Sequence, residues 1–338
     1  MPLTIRTVKE INRRDILFSV ARLPRSSRLF LGSSDFKVHD LDVSQNNPQS
    51  RELVGHTSYV TGVRLAGESL ISGSYDGKLI WWDLENRRAT RTIESAHRRW
   101  IRGLAVSPDG TKLASVADDM VCRLWNTTTG VKLHDLAGHA ERTPNHFRSM
   151  LYVCVFSADG RHLATGDRVG HVKIWDVGTG RQVGSVEAPI LYTWDGVQRI
   201  RSIGGVRALA FSPDGRQLAV GGVGRIGNVD SVAGPSRVEV FDWARSQRLC
   251  EFTGPQGIVN RLQFHPQNDW LFAAGGGSNG FFMFYHTGRR AMIQQGNLPM
   301  HVHDVTFNED SSTFYAAGHN KVVVAEIRNS GTIGERGA

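Results

Sequence analysis

The chain has 338 residues, 40% hydrophobic and 21% charged, a balance that supports a sizeable core and excludes a disordered tail, a collagen-like rod or a small disulfide scaffold. Forty basic against 32 acidic residues leave +8 at pH 7, and only seven of the basic residues are lysine, so the excess is arginine. That balance permits an acidic protein or a nucleic acid as partner and demands neither. No apolar run is long enough to span a bilayer as a helix, and the opening MPLTIRTVKE has no secretory apolar stretch. Three widely spaced cysteines (Cys122, Cys154, Cys250) show no metal or redox spacing, which fits a reducing, cytoplasmic setting.

Residues 3–11 open the chain with Leu3, Ile5, Val8 and Ile11 in a strand-like pattern. The remainder divides into units of about 48 residues: approximately 12–53, 54–95, 96–137, 138–188, 189–254, 255–297 and 298–328. Unit two runs from Gly55-His56 to Trp82-Asp83, unit three from Ala96-His97 to Trp125-Asn126, and unit four from Gly138-His139 to Trp175-Asp176. Unit five ends in Phe241-Asp242, and weaker copies stand at His39-Asp40 and Phe284-Tyr285. Units three, four and five share a turn: Ser107-Pro108-Asp109-Gly110, Ser157-Ala158-Asp159-Gly160 and Ser212-Pro213-Asp214-Gly215. Each turn joins two alternating apolar runs, the signature of strand, tight turn, strand.

The His dipeptides, the Trp-Asp ends and four strands per unit make the chain resemble the WD-repeat β-propellers over nearly its whole length. The resemblance implies an all-β fold, a seven-bladed ring of four-stranded antiparallel blades. The last run, 321–327, is followed only by a polar, glycine-containing tail, so residues 3–11 are expected to close the ring as the fourth strand of the last blade. It also implies buried tetrads in which Trp bonds Ser, Ser bonds His and His bonds Asp: His56, Ser72, Asp76 and Trp82, then His97, Ser115, Asp119 and Trp125. Two units carry the same Ser, His and Asp, and the repeat accounts for their spacing, so these are fold residues rather than a hydrolase triad. No catalytic residue, cofactor or metal is expected.

Departures from the repeat speak to function. Extra chain enters in three places: 140–150 after His139, 189–205 before unit five, and 224–236 between the second and third strands of unit five. In a four-stranded blade all three loops leave by the same face. Unit four has Val169 where the tetrad Asp is expected, and unit five has Val220 for Ser and Phe241 for Trp. The insertions and the loop before them bring Arg98, Arg99, Trp100, Arg142, Phe147, Arg148, Tyr192, Trp194, Arg199, Arg201 and Arg225 to one rim. Arginine with Trp and Tyr is the mixture that dominates protein-interface hot spots. The competing reading is a solvated loop whose arginines rest on Glu141, Asp195 and Asp230.

A second candidate is the channel mouth, where Ser19, Gly62, Gly103, Val153, Ala208, Arg261 and Asp304 align and Arg261 can pair with Asp304. His301 and His303 share a strand face without an evident third ligand. The expected function is therefore a non-catalytic interaction scaffold whose partner is a protein that offers an acidic segment. The alternative is a polyanion, nucleic acid or a phosphorylated head group, read by the arginine rim.

Overall fold

Asp-Gly turns set the strand pairing. Gly110, Gly160 and Gly215 take φ of 72°, 69° and 71°, a region that costs an L-residue strain and glycine little. In the first of these turns the Ser107 hydroxyl donates to Asp109 at 2.5 Å and accepts from the Lys112 N–H at 2.9 Å. The same two bonds recur at Ser157 and Ser212. Strands then alternate their faces, and the buried positions of one sheet pack against the next.

The structure, a computed structural model, describes residues 3–197, 199–227, 229 and 234–329. It is an all-β propeller of four-stranded antiparallel blades. Four-stranded sheets occupy 60–93, 101–137, 151–187, 208–256 and 258–298. A further sheet of six strands runs in the order Val302–Phe307, Thr313–Asn329, Leu3–Arg22, Arg28–Ser33, Lys37–Asp42, Arg51–Val54. Its long strand Leu3–Arg22 serves both sides. Leu3 to Asn12 pair with Asn329 to Lys321, and Leu17 to Arg22 pair with Ser33 to Leu29. The segment Thr313–Asn329 reverses at Asn320 (φ 58°), so that the Ile327 N–H reaches the Ser312 carbonyl at 2.7 Å.

Core forms between neighbouring sheets. Ala105, Val116, Cys122 and Leu124 of one pack on Leu151, Cys154, Phe156 and Trp175 of the next. Cys122 and Cys154 are thus small apolar fillers, and burial raises the Cys122 thiol well above its ordinary value.

Register corrects two repeat ends. Trp82, Trp125, Trp175 and Phe241 pair with Leu70, Leu113, Leu163 and Leu218, the first apolar residue after each turn. The same place is held by Leu41 opposite Leu29 and by Tyr285 opposite Leu271. His39-Asp40 and Phe284-Tyr285 are therefore displaced from the repeat position by two residues and one. Without a Trp to mark the site, a nearby aromatic or acid imitates it.

Candidate functional site

The frame beneath the site is hydrogen-bonded. Trp82 Nε1 donates to Ser72 Oγ (2.8 Å), Ser72 Oγ lies 2.7 Å from His56 Nε2, and His56 Nδ1 lies 3.0 Å from Asp76. Trp125, Ser115, His97 and Asp119 repeat this at 2.9, 2.7 and 3.0 Å. Burial alone would raise the Asp76 carboxyl, but the His56 imidazole and the Thr57 and Lys78 N–H groups outweigh it and leave it lowered.

A third tetrad corrects the reading of Val169. Trp175 donates to Thr165 (2.9 Å), which meets His139 (2.8 Å), and His139 meets Asp167 (3.0 Å). Asp167, fully buried, takes the place expected at 169 and also accepts the Val169 and His171 N–H groups at 2.9 Å. It can do so because Thr165 and Asp167 share one face of the strand His162–Asp167.

Asp76 and Asp119 also grip the loop that follows their histidine. Asp119 accepts the Arg98 N–H at 3.2 Å, which fixes the start of the Arg98-Arg99-Trp100 segment. Trp100 then stacks on Tyr75 (centroids 4.6 Å, planes 4° apart). The Arg102 guanidinium lies 4.7 Å from the Tyr75 ring centre and 5.1 Å from that of Trp100, and a bidentate bond to Asp118 at 2.7 and 2.8 Å holds it there.

Arg98, Arg99, Trp100, Phe147 and Arg148 line one open groove of about 800 Å³, with Tyr75 and Arg168. Trp100 is 50% and Phe147 42% exposed, large values for side chains of that size. The remaining expected residues surround this groove unevenly. Residues 192–204 form a hairpin, Tyr192–Asp195 against Arg201–Gly204, and the three insertions touch one another through it. Trp194 packs on Phe147 at 5.3 Å, and the Tyr192 hydroxyl donates to Asn145 at 2.9 Å. Across the other side, the Ile226 N–H donates to Thr193 at 3.1 Å and Arg201 to the Val229 carbonyl at 2.6 Å. Arg142 folds back onto the His146 carbonyl (2.7 Å), and Arg225 is exposed beyond the groove. Arg199 is exposed, and Asp195 accepts the Val197 N–H. Asp230 lies outside the described residues.

An aromatic arc went unread in the sequence. Phe36, Tyr59, Tyr75 and Trp100 follow one another at 5.7, 5.7 and 4.6 Å, and Phe18 joins Tyr59 at 5.6 Å. The signal was available: Tyr59 and Trp100 each stand three residues after their tetrad histidine.

At the channel mouth, Ser19, Gly103, Val153, Ala208, Arg261 and Asp304 line a cavity of about 250 Å³, and Gly62 does not. Phe18, Thr61, Arg102, Tyr152, Arg207, Asn260 and His303, each one residue earlier, line it as well. His301 and His303 are joined by His319, with ring centroids 4.7 to 5.0 Å apart. Both ring nitrogens of His301 are engaged, by Gly277 and Asn260. Among the described residues Asp15, Asp35 and His39 also bring ligand-type atoms within 4.8 Å of one another. Arg13 pairs with Asp15 at 2.9 Å and His39 with Asp35 at 3.0 Å, so the set reads as an ion-pair network. No helix of the described residues is long and apolar enough to cross a membrane.

Comparison with known proteins agrees with this architecture. The pattern of the family described as "WD domain, G-beta repeat" matches residues 46–83, 88–126, 130–176, 198–226 and 246–285. Apoptotic protease-activating factor 1 of Rattus norvegicus is 33% identical over 52% of the chain and 13% of its own length. Nuclear distribution protein PAC1-2 of Uncinocarpus reesii is 31% identical over 50% of the chain and 39% of its own length. A guanine nucleotide-binding protein subunit beta of Solanum tuberosum is 29% identical over 54% of the chain and 46% of its own length. The matched stretch is thus less than half the length of each of these relatives. With the repeat pattern covering more than half its residues and the strands arranged in blades, the chain belongs to the WD-repeat family.

Proposed function

We propose that the chain does what WD-repeat propellers generally do, acting as a non-catalytic protein-interaction scaffold, and that it docks an acidic partner segment in the groove of Trp100 and Phe147. The observation that carries this reading is the groove itself, where two exposed aromatic side chains stand among Arg98, Arg99 and Arg148. Aromatic anchors supply area at low entropic cost, and arginine forks select carboxylates. The ring reads as seven blades, the six-stranded sheet counting as two blades joined by Leu3–Arg22, and the insertion 140–150, with Trp194 packed on its Phe147, extends the groove's outer wall.

Affinity capture tests it with three baits: wild type, Arg98→Glu/Arg99→Glu/Arg148→Glu, and Arg88→Glu at the start of the strand Arg88–Ile93. A protein retained by wild type and by Arg88→Glu but lost by the triple variant supports the groove. Undiminished capture by the triple variant overturns it. Steeply salt-dependent, sequence-indifferent binding of nucleic acid would favour a polyanion instead.

A further inference from the structure

The central cavity holds more positive charge than its own acids neutralise. Arg64, Arg102, Arg207 and Arg261 line it, and Asp304 is the acid among its lining residues. Arg102 is satisfied from the side by Asp118. Asp304 already accepts from Ser19 at 3.0 Å, the Val20 N–H at 3.1 Å and Arg64 at 3.2 Å, while Arg261 Nε stands off at 3.7 Å. Arg207 lies 3.6 Å over the Tyr152 ring and has no acid partner among the described residues. Three lining atoms, Arg207 Nε, Arg261 Nε and His303 Nε2, are buried without a hydrogen-bond partner.

A buried guanidinium is tolerated when its charge and its N–H groups are both met, and is costly otherwise. Here Arg64 and Arg261 share one carboxylate and Arg207 has none, which leaves two charges uncompensated at the mouth of a polar cavity of about 250 Å³. Water alone can fill such a space, yet it answers the hydrogen bonds and leaves the charge. A single carboxylate would neutralise one of the two. The arginines also line the cavity from separate blades, which suits the several acceptor oxygens of a tetrahedral ion better than a planar group.

We propose that the channel mouth is a binding site for a doubly charged tetrahedral oxyanion of the phosphate class, held between Arg64, Arg207 and Arg261. This site adjoins the partner groove, Tyr75 lining both, but its arginines are not those of the groove, and its success or failure leaves that reading untouched.

Calorimetric titration at constant ionic strength, made up with chloride, tests it with three probes: inorganic phosphate, phenyl phosphate and succinate. Wild type is expected to bind phosphate saturably at one site and succinate at least about tenfold more weakly. Arg207→Gln and Arg261→Gln are each expected to weaken phosphate about tenfold, and Arg88→Gln, at the start of the strand Arg88–Ile93, to leave it unchanged. Tighter binding of phenyl phosphate than of phosphate assigns the site to a phosphate carried on a ligand, and the reverse assigns it to the free ion. Should Arg261→Gln fail to fold, Arg207→Gln carries the comparison, with thermal melts confirming the fold. Absence of saturation in wild type, affinity equal to succinate, or undiminished binding by the folded arginine variants overturns the proposal.

Discussion

Asp167 completes its tetrad from a position two residues earlier than Asp76 and Asp119 would suggest, and it carries more bonds than Asp76. Two histidines and two backbone N–H groups converge on its carboxylate. Removing that acceptor leaves them unmet in a dry site, so Asp167→Ala should cost about 1–3 kcal/mol in denaturant unfolding. Asp167→Asn keeps one acceptor and should cost less. A titration effect acts on the other side of the ring. Burial first, then the charges of His301 and His319, depress the His303 imidazole to about 3. The unfolded chain binds that proton near pH 6.5 while the folded chain refuses it, so stability is intact above pH 6.5 and falls as pH drops toward 3. Wild type should lose on the order of 1 kcal/mol per pH unit more than His303→Gln across that window. Parallel acid limbs in urea melts of the two proteins would refute the assignment.

At the scale of elements, the strand Leu3–Arg22 ties the two ends of the chain together. Leu3 is buried and Ile5 half-buried against the cluster of Phe272, Phe284 and Phe314, while the pairing covers what would be an open edge at Lys321–Asn329. Deleting residues 1–11 should lower the melting temperature in one cooperative step and destabilise by at least about 2 kcal/mol, from the lost apolar burial alone. An unchanged calorimetric scan would mean that the pairing contributes nothing. Elements were also the level at which the sequence was most readable. Asp-Gly turns and Trp-Asp ends announced the 101–137 and 151–187 sheets because each does one irreplaceable job, a positive φ or a buried indole N–H with a partner. Where the indole is replaced, as at Leu41 and Tyr285, the marker vanishes and the pattern slips. The innermost strands hid their channel residues for another reason. Each of six carries a register break at Phe18, Thr61, Arg102, Tyr152, Asn260 or His303. A bulge adds one residue and breaks the alternation by which facing side chains are counted, so Arg102, Tyr152 and His303 were missed while their neighbours were found. Asp167 escaped likewise, because spacing along the chain stood in for a shared strand face.

For the whole molecule, the acidic segment proposed as partner would approach a net charge of +8 and an arginine-bearing groove beside a cationic channel. Charge of this kind steers encounter, whereas the proposed anchors Trp100 and Phe147 would hold the complex once formed, so the two contributions separate kinetically. Raising salt from about 20 to 300 mM shortens the screening length severalfold and should slow association of an acidic partner by about tenfold, with little change in its dissociation. Trp100→Ala should do the opposite, hastening dissociation at least about tenfold and leaving the salt dependence of association intact. Surface plasmon resonance of both proteins across the salt series reads the two rates directly. If salt acted only on dissociation, or if Trp100→Ala left dissociation unchanged, the face would be binding by some means other than a charged approach to an aromatic anchor.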